Sequence, residues 1–156
     1  MKPFTVLLAV SAASAALAAC ATTAAGGAGS ANATHTGTPL VATLDGKAEV
    51  PGPGDANGNG EFSGWFDASK GQVCYTLGVG SLASPTMAHI HRGDAQTAGP
   101  VVVALANPVH DISDTCTPVA PALISEIVAN PSAFYVNVHT TQYPKGAIRA
   151  QLMHPK

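Results

Sequence analysis

The 156-residue chain carries little charge: Lys and Arg together number 7, Asp and Glu 9, and charged residues make up 10% of the total. With so few cations there is no basic stripe to track a phosphate backbone, so nucleic acid is not an expected partner. Cysteine is scarce too, at 3 residues and without Cys-x-x-Cys spacing, which weighs against a thiolate metal site. The usual catalytic signatures are missing. There is no nucleophile elbow, no Gly-rich phosphate loop and no carboxylate pair set for acid–base work, and Ser63, Ser69 and Ser81 lack a triad context. No catalytic residue is assigned, and a non-enzymatic role is the expectation. The chain contains no internal repeat.

Apolar residues concentrate at the start. Lys2 supplies a positive end, and residues 4–17 form an apolar run too short to cross a bilayer as a stable helix, so residues 1–19 read as a signal peptide. The run ends in Leu17-Ala18-Ala19-Cys20, which resembles the bacterial lipobox, where the cysteine thiol takes diacylglycerol before cleavage. Cys20 is thus the expected lipidation site, with the membrane as a partner and a periplasmic or outer-membrane location. The alternative is an ordinary secretory signal cut after Ala16-Leu17-Ala18. Both place the mature chain in an oxidising compartment, where Cys74 and Cys116 read first as a disulfide stabilising the fold by about 3–5 kcal/mol. Residues 20–38, built of Ala, Gly, Ser, Thr and Asn, form an expected flexible tether in which His35 is incidental. Residues 39–156 are one domain's worth of chain.

Within that domain, short runs of strand character recur between strong turn signals, at 40–44, 60–66, 72–79, 87–91, 101–105, 133–140 and 147–152. One helix is expected over 121–129, opened by proline and closed by Asn130-Pro131, with Leu123 and Ile127, joined by Ile124 and Val128, on one face. These spacings are those of an all-β sandwich with one short helix. Asp55-Ala56-Asn57-Gly58-Asn59-Gly60 imitates the start of a calcium loop, but the twelfth position is Phe66 and no helix flanks it, so it reads as a turn. Arg149 and Glu49 read as solvated or paired surface charges.

The period-2 rule assigns faces. On the 133–140 run, Phe134, Val136 and Val138 face the core and Tyr135, Asn137 and His139 face away. On the 87–91 run, Met87, His89 and His91 share the face opposite Ala88 and Ile90. Two histidines at i and i+2 stand about 7 Å apart on one face of a strand, a gap that one ion can bridge if the rings lean inward. His139 is the best third ligand, and Met87 an optional fourth whose thioether shifts the preference from zinc towards copper, above all the cuprous state. Tyr135 and Asn137 are candidates for holding the imidazoles from behind. Against this stands an ordinary structural role, since His-x-His alone is weak and paired histidines on a strand are often merely solvated or hydrogen-bonded. His110 and His154 are nearer to that ordinary role.

A longer pattern sharpens these expectations. Leu44-Asp45-Gly46 with Glu49-Val50-Pro51, Val73-Cys74-Tyr75-Thr76-Leu77, Ala88-His89-Ile90-His91-Arg92-Gly93 with Gly99-Pro100-Val101-Val102, Tyr135-Val136-Asn137-Val138-His139-Thr140, and Pro144-Lys145-Gly146-Ala147-Ile148-Arg149-Ala150-Gln151-Leu152 together resemble the CHRD (chordin-like) domain, over nearly all of residues 40–152. The resemblance implies an all-β, Greek-key β-sandwich, immunoglobulin-like or superoxide-dismutase-like, whose characteristic histidines fall on His89, His91 and His139. His-x-His on a sandwich strand is also similar to the copper-binding strand of copper–zinc superoxide dismutase, but neither a bridging histidine nor a zinc loop is present, so dismutation is not implied. Two functions are expected: a lipid-anchored module that binds, buffers or delivers a metal ion, copper before zinc, and, as the alternative, a metal-free surface domain with a protein partner.

Overall fold

The computed structural model describes residue 1, residues 35–108, residue 110 and residues 112–156. The expected signal peptide, Cys20 and most of the expected tether lie outside the described residues. Among the described residues no helix is long and apolar enough to cross a membrane.

Eight antiparallel strands and one short helix make the domain: β1 (Thr38–Asp45), β2 (Asn59–Asp67), β3 (Gln72–Gly80), β4 (Pro85–Arg92), β5 (Val101–Leu105), β6 (Ile112–Pro118), α1 (Pro121–Ala129), β7 (Phe134–Thr140) and β8 (Ile148–Gln151). Their order is β5-β4-β7-β8-β1-β2-β3-β6. The chain therefore crosses between the two halves at β3 to β4, β5 to β6 and β6 to β7, the Greek-key style of connection. The halves meet at a thin seam, where β8 registers with β1 through Asp45 and Arg149, and Val41 and Met153 exchange two backbone bonds of 2.9 Å.

Alternation explains why the sheet curls round a single core. Leu40, Ala42 and Leu44 of β1, Phe62 and Phe66 of β2, and Val73, Tyr75 and Leu77 of β3 point inward, where they join Ala88 and Ile90 of β4 and Phe134, Val136 and Val138 of β7. Phe62 stacks on Tyr75 at 5.6 Å, and the Tyr75 hydroxyl accepts a bond from the Ala106 N–H, 2.6 Å away, just past β5 in the other half. The helix follows its sequence signals, with Pro121 in the first turn and Asn130 at its end. Ile124 and Ile127 are its fully buried residues, while Leu123 and Val128 are only partly covered.

Strand β6 is not evident from sequence. Its run Ile-Ser-Asp-Thr-Cys-Thr-Pro buries only Ser113, because β6 is an edge strand held to β3 by backbone pairing. It is also held covalently: Cys74 and Cys116 sit opposite each other in that register and form a disulfide. At the other end of the described chain, His35 stacks on Trp65 with ring centroids 4.5 Å apart and Thr36 donates to Asp67, so residues just ahead of β1 lie on the domain. Asp55 accepts bonds from the Asn57 and Gly58 N–H groups, which closes the expected turn.

Candidate metal centre

Strands β4 and β7 are neighbours, which brings the three histidines together. In their register Met87 lies opposite His139, His89 opposite Asn137 and His91 opposite Tyr135. One nitrogen from each of His89, His91 and His139 falls within 4.8 Å of the others. The closest approach is 3.2 Å, from His89 Nδ1 to His139 Nε2. Two metal–nitrogen bonds of about 2.0–2.1 Å spanning that gap would meet at an angle of about 100°, between square and tetrahedral. A pair 4.8 Å apart exceeds the reach of two such bonds, so the widest pair must close by a small ring rotation.

Main-chain carbonyls set the tautomers. His91 Nδ1 donates to Gly99 O at 2.9 Å and His139 Nδ1 donates to Pro144 O at 3.2 Å, so in each ring Nε2 keeps the free lone pair, and that of His139 faces His89. The His91 Nε2 atom is buried without a hydrogen-bond partner among the described residues. A buried polar atom left unpaired is costly, and a cation in its place would satisfy it. Burial pushes all three imidazoles below their ordinary pKa, with mutual repulsion adding to the effect at His91 and His139, and so keeps them in the neutral form that ligates.

Most of the face that alternation left outside is buried. His91, Tyr135, Asn137, His139 and Arg149 are all buried, and Arg149 is only 1% exposed. The expectation that Arg149 and Glu49 are surface charges is therefore wrong. Arg149 enters from β8, beside Asn137 in register, and donates to the carbonyls of Asp94 and Thr97. Glu49 is carried over the strands by the segment after β1 and accepts a 2.5 Å bond from the Asn137 amide. Gly146, at φ +144°, leaves room for it, since a side chain there would strike the Glu49 carboxylate. Loops between strands cover this face, and no period-2 pattern reports a loop folding back. Tyr135 stacks on His91 with centroids 4.8 Å apart and planes 6° from parallel, and its hydroxyl accepts from the Gly99 N–H. Asn137 bonds Glu49 and Ile148 O rather than an imidazole. The carbonyls of Gly99 and Pro144 take the orienting role that the sequence reading offered to Asn137. Met87 is 47% exposed at the outer end of the row.

The CHRD domain family model matches residues 40–152. The chain belongs to the CHRD domain family. That match runs from Leu40 within β1 to just past β8, and the histidine cluster of this CHRD domain draws its three ligand candidates from two strands inside it. No curated protein and no solved structure matches the chain.

Proposed function

We propose that this CHRD domain is a lipid-anchored, extracytoplasmic module that binds, buffers or delivers a copper ion through His89, His91 and His139, with Met87 near the open side. The observation that carries the reading is the convergence of three neutral imidazoles, two of them with the Nε2 lone pair left free because a backbone carbonyl takes the Nδ1 proton. Imidazole nitrogen suits copper and zinc alike, and a thioether beside it favours copper. His89, the most exposed ring of the three, is the one free to turn: without an ion it can donate from Nδ1 to His139 Nε2, and an ion would replace that proton. Attachment through the Cys20 thiol fits the lipobox-like sequence before it and a periplasmic or outer-membrane location.

The test is titration of the purified domain with Cu(I), Cu(II) and Zn(II), beside a His89→Ala/His91→Ala variant. Saturable binding of one ion, lost in the variant, is the expected result. Equally weak binding by both proteins would sink the reading and leave the metal-free interaction domain. Lipidation is checked separately, by incorporation of a labelled fatty acid that a Cys20→Ser variant no longer takes up.

A further inference from the structure

Arg149 is a buried cation whose partners are mostly not anions. Its guanidinium bonds the main-chain oxygens of Asp94 and Thr97 and the Gln151 amide oxygen, and its Cζ lies 3.5 Å above the centre of the Tyr135 ring. Tyr135 also lies flat against His91, and its strand β7 runs between β4, which carries His91, and β8, which carries Arg149. Arginine, aromatic ring and imidazole therefore form one stack, with a fixed positive charge at the end away from the histidine cluster. Two acids act on Arg149. The Asp94 carboxylate is exposed and bound to the Gln96 N–H and the Thr97 hydroxyl. Glu49 has spent one oxygen on Asn137, and burial pushes its carboxyl up to about 7, so it is a partial counter-charge near neutral pH. The Thr97 and Asp94 carbonyls that Arg149 grips belong to the loop that presents Gly99 O to His91.

We propose that Arg149 is a positioning residue that holds His91 through the Tyr135 stack and biases the histidine site towards a singly charged soft ion, Cu(I), over Cu(II) or Zn(II). The inference rests on the metal-binding reading above. Three neutral imidazoles bring no negative charge to the ion, so a doubly charged ion would meet the field of Arg149 with nothing in the ligand set to offset it. A unit charge roughly 10 Å from the ion, at the effective dielectric of a protein interior, weakens binding of each added charge by about tenfold. An exposed thioether at Met87 suits the same ion.

The experiment compares Arg149→Gln with Arg149→Lys in the full mature chain, measuring Cu(I) affinity against a chromogenic chelator, Cu(II) affinity by direct titration, and thermal stability without metal. Arg149→Gln is expected to narrow the Cu(I)-to-Cu(II) affinity ratio by about tenfold, a drop of about 60 mV in the potential of the bound ion. Arg149→Lys keeps the charge and should retain most of the ratio while losing stability. If Arg149 is only structural, both affinities fall by the same factor and the unmoved ratio overturns the proposal. Should Arg149→Gln not fold, Glu49→Gln at pH 8 reads the same field with opposite sign. Removing that anion must move the ratio further towards Cu(I), and a static ratio there also overturns the proposal. Wild-type protein that binds no ion saturably removes the metal reading and this inference together, whereas saturable binding with static ratios removes only this inference.

Discussion

The two half-sheets share one core but differ on their outer faces. On β1, β2 and β3 the outward positions Thr43 and Glu61 are exposed and Ser63, Trp65 and Thr76 half-buried, as alternation leads one to expect of a sheet with one wet side. On β4, β7 and β8 the outward positions His91, Tyr135, Asn137, His139 and Arg149 are buried, His89 and Gln151 are half-buried, and Met87 at the outer end is exposed. Burying such groups is unfavourable unless each finds a partner, and most of them do. The Gly99 loop meets His91 and Tyr135, the Asp94–Thr97 carbonyls meet Arg149, Glu49 meets Asn137, and Pro144 O meets His139. The first half keeps its outer face cheap and polar in water. The second uses loops to build a second interior, and among the described residues His91 Nε2, an atom of the histidine cluster, is buried there without a partner.

The contrast predicts where the molecule is fragile. Replacing Cys74 and Cys116 together by alanine should have the largest effect on stability. The bridge joins residues 42 apart in sequence, and in the chain-entropy account it contributes about 4 kcal/mol. Denaturant unfolding should show that loss with metal binding by the remaining fold unchanged, because the bridge lies on the half opposite the histidines. A coupled loss of metal affinity would mean that the halves are not separable. Asn137→Ala comes next. It leaves the Glu49 carboxylate and Ile148 O without their buried donor, at roughly 3 kcal/mol by urea unfolding. Thr43→Ala on the wet face is the control and should stay within about 0.5 kcal/mol. Equal costs at Thr43 and Asn137 would erase the distinction between the two faces.

Much of the wet half was legible from residues alone. The alternation of Leu40, Ala42 and Leu44 and of Val73, Tyr75 and Leu77 is carried by backbone geometry, and the core side follows from it. The even pair Cys74 and Cys116 also pointed to its own bridge, now seen across β3 and β6. Strand β6 was not legible, because an edge strand pinned by backbone bonds and a disulfide needs no apolar side chains to declare it. In the dry half, alternation put the histidines on a common face, and the β4–β7 pairing brings them within bonding reach. What alternation could not give was the cover. Arg149 and Glu49 looked like surface charges because their partners are carbonyls and an amide contributed by segments distant in the chain. The orienting oxygens of Gly99 and Pro144 carry no side-chain signal either. Glycine at position 99 is the nearest thing to one: a Cβ there would lie 1.6 Å from Arg92 O, so the chain turns back on β4 only with glycine. Gly99→Ala should therefore displace the oxygen that orients His91 and weaken metal binding several-fold, less than loss of a ligand. Isothermal titration gives the comparison, and unaltered affinity would show that the carbonyl does not position the ring.

The smallest effects lie in the pH dependence, where the dry face should leave two opposed marks. His89, His91 and His139 titrate below their ordinary value of 6.5, so the folded chain holds fewer protons than the unfolded one as pH falls. The stability that comes from keeping them neutral is present above 6.5 and is lost as pH drops below it. Glu49 acts the other way. Its carboxyl rises from 4.5 to about 7, so the folded state favours the protonated acid, and that contribution is complete below 4.5 and disappears as pH climbs through 7. Metal-free wild-type protein should therefore be most stable at weakly acid pH and lose stability on both sides. Glu49→Gln keeps an oxygen for the Asn137 amide but cannot ionise, so it should flatten the alkaline limb and leave the acid limb in place. Chemical unfolding at pH 5, 6.5 and 8 separates the two limbs. An alkaline limb that persists in Glu49→Gln would assign it to another group, and an acid limb that persists in the His89→Ala/His91→Ala variant would remove the histidines from the account of the dry face.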